Sequence, residues 1–247
     1  MAAAARIAAL SAARIAALSK CVSEPRLARM AQVLASRTSK LHMALEDVTN
    51  GANTAAILRS CENLGVQNVH FFSSSNRTLR SPKPALKRRQ QAEVSKGAHR
   101  WLTLTRHAGG VADFGAAARR GGWRVLGADA SSEAAAPIAS LDLHAPHADA
   151  DGASGPAAAA APIVLLFGNE GKGLSAEALA LCGELGGGTF RLPSCGLTRS
   201  YNVSVAAAMA LFHCASKGLL CPPSVGLGQA ERDELLLGWL ERDIRGE

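Results

Sequence analysis

Apolar and polar positions fall into blocks along the chain, and the blocks alternate between two periods. LHMALEDV (41–48) and VQNVHFF (67–73) are short apolar runs that read as strands. Between them, residues 54–64 repeat apolar positions at helical spacing. Asn53 or Thr54 is placed to cap that helix, and Gly65 is placed to end it. Residues 111–120 read as a helix and WRVLGAD (123–129) as a strand. PIVLLFG (162–168) is apolar throughout, as a buried parallel strand is. A helix over 174–182, a strand over 188–193 and a helix over 202–217 complete the pattern. Strands separated by helices predict an α/β fold: a mostly parallel sheet with helices on both faces.

The ends extend this domain with helices. From Pro25, Leu27, Met30 and Leu34 recur at helical spacing with Arg26, Arg29 and Arg37 among them, which predicts a short basic helix. The tail from Gln229 places Leu236, Leu240 and Ile244 on one face, with Leu235 and Trp239 adjoining. A helix of that length is unstable alone in water, so it should pack on the domain or on a partner subunit. The first 23 residues repeat AARIAALS at 4–11 and 12–19, with Arg6, Arg14 and Lys20 and no acid before Cys21. Two readings stand side by side: a transit peptide for a mitochondrion or plastid, and a low-complexity extension of a cytoplasmic protein. The expected division is therefore 1–23 extension, 24–40 basic helix, 41–217 main domain, and 218–247 linker and helix. Residues 144–161 (HAPHADADGASGPAAAAA) form an insertion without periodicity.

Composition changes this picture in one place. The chain has 247 residues, 48% hydrophobic and 19% charged, enough to bury a core. No apolar run is long enough to cross a bilayer, so a soluble protein without a membrane partner is expected. The net charge of +7 is concentrated. Residues 76–106 carry Arg77, Arg80, Lys83, Lys87, Arg88, Arg89, Lys96, Arg100 and Arg106 against Glu93 alone. A concentrated basic stretch suits a polyanion, because each neutralised phosphate releases counterions; the plainer reading is a solvated loop, which Ser-Pro-Lys-Pro at 81–84 favours locally. Cys21, Cys61, Cys182, Cys195, Cys214 and Cys221 include no C-x-x-C pair, and no His pair completes a zinc pattern. Reduced thiols, no metal and no disulfide framework are expected.

Three segments carry candidate chemistry. The first is NTAAILRSCENLG (53–65), the second FGNEGKGLS (167–175), the third RLPSCGLTRSYNVSVAAAMAL (191–211). The glycine loop is not a P-loop, since the position for its Lys is Leu174, and G-x-G-x-x-G fails at Glu170. It still follows the most apolar strand, where open α/β sheets bind ligands. Each segment also has a plainer role. The loop can be a tight turn, Ser200 or Asn202 can cap the next helix, and Arg59 can reach solvent from an apolar helix.

Together, in this order, the three segments resemble the three motifs of the SpoU/TrmH family of SPOUT methyltransferases. The resemblance covers roughly residues 25–216. SKGAHRW (95–101) is similar to a segment of the tRNA-specific branch, and the closest look is to its members that methylate a D-loop guanosine. It implies a sheet whose C-terminal part is tied in a trefoil knot, S-adenosylmethionine as cofactor, tRNA as substrate and a homodimer. It implies Arg59 as the central catalytic residue, surrounded by Asn53, Glu170, Ser200 and Asn202. It implies a cofactor pocket lined by Ala128, Gly168, Gly173, Leu192, Gly196 and Tyr201. Tyr201 departs from the family, which has Leu there. The family view makes Arg59 a base. A guanidinium holds its proton tightly, so gripping an RNA phosphate and stabilising a developing alkoxide suit it better. Arg26, Arg29, Arg37, Lys87, Arg88, Arg89, Lys96 and Arg100 are the candidate RNA contacts. Three other functions compete: a ribosomal-RNA 2′-O-methyltransferase, a catalytically silent RNA-binding protein on the same fold, and, disfavoured by Leu174, a nucleotide hydrolase.

Overall fold

The computed structural model describes residues 2–74, 97–144, 161–198, 200–220 and 226–246. Two N-terminal helices, α1 (Ala2–Ser19) and α2 (Glu24–Ala35), precede β1 (Leu41–Glu46), α3 (Gly51–Asn63) and β2 (Asn68–Phe72). A 3-10 turn (Ala98–Trp101) leads to β3 (Thr103–Arg106), α4 (Gly110–Arg120), β4 (Arg124–Ala128) and β5 (Ala136–Pro137). Then come β6 (Ile163–Phe167), α5 (Ala176–Glu184), β7 (Thr189–Arg191), α6 (Val203–Ser216) and α7 (Gln229–Arg245). Among the described residues the strands form one parallel sheet in the order β3-β2-β1-β6-β4-β7-β5.

The central strands are buried on both faces. In β1, Leu41, Met43 and Leu45 enter the larger apolar cluster with Ile57 of α3 and Ala207, Ala210 and Leu211 of α6. Ala44 faces the other way, toward Phe114 and Ala118 of α4 and Ala178 and Leu181 of α5. Helices thus cover both faces, and two buried faces explain why these strands lack clean alternation.

Several boundaries differ from the sequence reading. Helix α3 begins at Gly51, capped by Asn50, whose Oδ1 accepts from the Ala52 amide at 2.9 Å. Asn53 and Thr54 therefore lie inside its first turn. Gly65 does follow the helix, with φ +84, and an added Cβ there would sit 2.3 Å from the Ser36 carbonyl oxygen. Helix α5 starts after Ser175, whose hydroxyl accepts from the Ala178 amide. Strands β3 and β5 were not expected. Residues 75–96 and 145–160, which include most of the basic stretch and of the Ala-rich insertion, lie outside the described residues.

The terminal helices pack together on one flank. Met30, Leu34, Leu227, Trp239 and Leu240 form a buried cluster joined by Ile15 and Leu18 of α1, Leu235 and Leu236. The tail helix α7 thus docks on its own chain, with Ile244 left exposed.

Candidate functional site

The C-terminal ends of the parallel strands share one edge of the sheet. From β1 the chain runs outward through β2 to β3, whereas β4, β7 and β5 lie beyond β6. Such a reversal opens a crevice at the strand ends, where α/β sheets take ligands.

The loop after β6 is closed on itself. Asn169 and Gly173 exchange backbone hydrogen bonds of 3.0 and 2.8 Å, and Asn169 Oδ1 accepts from the Gly171 and Lys172 amides. A Cβ on Gly168 would lie 2.3 Å from the Gly173 carbonyl, and Gly173 has φ +72, so both positions need glycine. At the tip, Glu170 Oε1 accepts from Asn53 Nδ2 at 2.8 Å. Asn53 Oδ1 in turn accepts from Asn202 Nδ2 at 3.1 Å. Asn202 also caps α6, its Oδ1 accepting from the Ser204 amide and hydroxyl. Three expected site residues from three separate segments thus form one polar chain. The shift of the α3 cap to Asn50 is what leaves the Asn53 side chain to reach across.

The loop after β7 leads from Leu192 toward the start of α6. Leu192 packs partly against the core, while Gly196 and Ser200 are exposed. The Tyr201 hydroxyl donates to the Pro193 carbonyl at 2.7 Å and ties the two ends of the loop. The ring is accommodated with 41% of its surface exposed. Ala128 ends β4 opposite Phe190. Gly173 and Gly196 present open backbone: an added Cβ would meet nothing at Gly173 and only Thr198 at Gly196. A ligand held closely by main chain fits these two loops.

Arg59 is not part of the polar chain. It is exposed on α3 and makes no side-chain hydrogen bond or ion pair among the described residues. Six helical positions separate it from Asn53, so the two side chains leave α3 on different sides. It lines a shallow depression of about 420 Å³ with Ala56, Ser60, Asn63, Leu64 and, on α6, Ala208.

The expected RNA contacts divide. Arg37 is corrected: it is 0% exposed, its guanidinium bonded to Glu62 at 2.8 Å and the Val66 carbonyl at 3.2 Å, and it faces the Trp239 ring. It is a structural cation that nucleic acid does not reach. Arg26 pairs with Asp243 at 2.7 Å and lies over Trp101, with 44% of its side chain exposed. Arg29 bonds to Gln32, and Arg100 is exposed. Lys87, Arg88, Arg89 and Lys96 lie outside the described residues.

Sequence reasoning missed two acids at the end of β1. Glu46 is 1% exposed and accepts from the Ser175 amide at 2.8 Å and hydroxyl at 2.5 Å. Burial pushes its carboxyl above the usual range, against the pull of the Ser175 bonds. Asp47 accepts from Ser73 and from Ser74, and its carbonyl accepts from Asn169 Nδ2 at 3.0 Å. Their only signal was their place at the carboxyl end of a strand.

Comparison with known proteins gives these loops a context. The tRNA (guanosine(18)-2′-O)-methyltransferase of Thermus thermophilus is 32% identical over 197 residues, covering 80% of this chain and 85% of that protein. The Borreliella burgdorferi protein of the same name is 25% identical, covering 94% and 92%. The fold resembles the crystal structure of the Aquifex aeolicus TrmH/SpoU tRNA modifying enzyme, with a TM-score of 0.66 at 23% identity over 89% of this chain and 97% of that one. An AdoMet-bound rRNA methyltransferase from Sinorhizobium meliloti shares the fold at a TM-score of 0.53 and 19% identity, over 75% of this chain and 59% of that one. Residues 40–212, which include the glycine loop and the Asn53–Glu170–Asn202 chain, match the SpoU rRNA Methylase family, and the protein belongs to that family.

Proposed function

We propose that this protein is an S-adenosylmethionine-dependent RNA methyltransferase acting on a ribose 2′-hydroxyl of tRNA, a D-loop guanosine in particular. The observation that carries the reading is the Asn53–Glu170–Asn202 chain beside two open-backbone loops at the crevice of the sheet. The relatives named as tRNA (guanosine(18)-2′-O)-methyltransferases support tRNA as the substrate.

When bound, S-adenosylmethionine supplies a methyl group already activated on a sulfonium. The protein's part is holding, orienting and handling charge. Gly168–Gly173, Leu192–Gly196, Tyr201 and Ala128 form the donor pocket. Glu170, fixed by Asn53, and Asn202 define its polar wall, with Ser200 on the loop ahead of α6. Arg59, on the α3–α6 face that a second copy would cover, grips an RNA phosphate in a fork geometry and stabilises the negative charge on the attacking ribose oxygen, in a site that the two copies build together. The basic stretch with Lys87, Arg88, Arg89, Lys96 and Arg100 holds the RNA, as do Arg29 and the exposed part of Arg26.

A homodimer and a trefoil knot belong to this reading. Val205 and Phe212 are exposed on α6, near Ala208 and Arg59, and a second copy would cover this face. The knot is supported by the strand order: β7 inserts between β4 and β5, two strands that the earlier segment 129–135 already joins.

The test is methyl transfer from labelled S-adenosylmethionine to unmodified tRNA transcript, with ribosomal RNA and Arg59→Ala protein alongside. Label on a tRNA ribose that is lost in the variant is expected, and mapping it names the nucleotide. Label on ribosomal RNA alone would keep the chemistry and replace the substrate, as the family's rRNA designation allows. Donor binding without transfer to either RNA would point to a different RNA substrate, and the absence of donor binding as well would point to the silent RNA-binding alternative.

A further inference from the structure

The glycine loop is gripped at three points by a single stretch, residues 46–53. At its start, Asn169 Nδ2 donates to the Asp47 carbonyl at 3.0 Å. At its tip, Glu170 accepts from Asn53 at 2.8 Å. Past its end, Ser175 donates both its amide and its hydroxyl to the buried Glu46 carboxylate. Between these points the reciprocal Asn169–Gly173 bonds close the loop on itself, so the grips act on it as a unit.

The stretch itself is held in an unusual shape. Asp47 has φ +51 and is the only non-glycine residue with positive φ among the described residues. A side-chain-bearing residue in that region costs free energy, which surrounding contacts must offset. The Asp47 carboxylate supplies such contacts, accepting from Ser73 Oγ at 2.5 Å, the Ser74 amide at 3.1 Å and the Ser74 hydroxyl. The kink aims the Asp47 carbonyl at Asn169.

We propose that Glu46 and Asp47 are positioning residues for the methyl donor: they hold the 168–175 loop in its donor-binding position without touching the donor. This rests on the methyltransferase reading above. If the loop occupies its binding position only a fraction of the time, apparent donor affinity falls by that fraction, while the bound complex reacts as before. Glu46→Gln keeps the shape of the side chain but replaces one acceptor oxygen with a donor. The Ser175 hydroxyl must then turn from donor to acceptor, and the Ser175 amide keeps only a neutral acceptor, which weakens the grip without abolishing it.

Donor dissociation constants and steady-state constants are measured for wild type, Glu46→Gln, Asp47→Gly and Ser175→Ala, alongside thermal unfolding. Asp47→Gly permits the positive φ and keeps the carbonyl, so it removes the carboxylate contacts while also loosening the backbone. Glu46→Gln is expected to raise Kd and KM for S-adenosylmethionine about tenfold, with kcat at saturating donor within about twofold and KM for RNA unchanged. Asp47→Gly should do the same more weakly. Glu46→Gln and Ser175→Ala should be non-additive in donor affinity, because they break the same contact. A purely stabilising role would lower the melting temperature and the active fraction but leave both KM values unchanged, and that result overturns the proposal. So does a donor affinity equal to wild type in an active Glu46→Gln enzyme, with the methyltransferase reading intact. A wild-type protein that neither binds the donor nor transfers methyl overturns both.

Discussion

Arginines on the α1–α2–α7 flank and in the α3–α6 depression look alike in sequence and do different work. On the flank three of them meet an acid: Arg14 meets Glu241 at 2.5 Å, Arg26 meets Asp243 at 2.7 Å and Arg37 meets Glu62 at 2.8 Å. Two of them also lie over tryptophan rings, Arg26 on Trp101 and Arg37 on Trp239. In the depression, Arg59 has no such partner among the described residues and faces solvent. Basic residues near an RNA enzyme's start are therefore not all RNA contacts. A guanidinium taken out of water needs a carboxylate and hydrogen-bond acceptors. One left in the open is available to a substrate.

The strongest way to break this contrast is to remove Arg37. Truncation to Ala loses the Glu62 pair, the bond to the Val66 carbonyl and the packing on Trp239. A loss of about 3–5 kcal/mol is expected, read from denaturant midpoints at constant m-value. Arg37→Met, which restores apolar volume, should recover part of it. Wild-type stability in Arg37→Ala, together with weakened tRNA binding, would return this residue to the RNA surface.

Arg59→Ala should do the opposite. The melting temperature should stay within a degree or two of wild type, since alanine is the best helix former and nothing is left unpaired. The methyl-transfer rate should fall about a hundredfold or more, the scale of losing one charge-stabilising donor at a reacting oxygen. A stability loss without a rate loss would place Arg59 with the structural arginines.

These two residues also mark how far the sequence could be read. The alternation of strands and helices and the stop at Gly65 were legible locally, whereas the three segments that meet at Asn53, Glu170 and Asn202 were legible only together, as a family resemblance. What Arg37 does was not, because Glu62 and Trp239 reach it only through the fold. The same holds for β3 and β5, of four and two residues, which are edge strands too short to show a period. Glu46 was hidden for another reason. An acid at a strand end is normally solvated, but this one is buried and meets Ser175, which is distant in sequence.

Histidines sharpen the rule by offering the other solution to burial. His42, His70 and His107 line one face of the sheet beside Trp123 and Phe114, with ring nitrogens 3.1 and 3.2 Å apart. His42 Nε2 donates to the Ser39 carbonyl, so each ring in the row can accept from the next only while neutral. Burial pushes His42 down to about 4 and His70 to about 3, and lowers His107 despite nearby Asp113. Unlike Arg37, these groups avoid the cost by shedding the proton. Their folded pKa values lie below the unfolded value near 6.5, so below that pH the unfolded state binds more protons. Stability is full above about pH 7 and falls as the pH drops toward 4, by about 1–3 kcal/mol between pH 7.5 and 5.5. His70→Phe should flatten that slope, and an unchanged slope would mean the row is not its source.

Arg26 should give the smallest effect and the closest discrimination, because it stands between the two classes. Its pair with Asp243 is 44% exposed on the arginine side, and exposed pairs contribute little. Arg26→Ala should cost at most about 1 kcal/mol, including the contact with Trp101. Stability alone cannot decide its role, but the partner can. If Arg26 serves only the flank, Arg26→Ala and Asp243→Asn shift the melting temperature by similar small amounts and leave tRNA affinity alone. If it also serves RNA, the two variants diverge. Arg26→Ala weakens tRNA binding and lowers its salt dependence by about one phosphate contact, while Asp243→Asn frees the guanidinium and tightens binding.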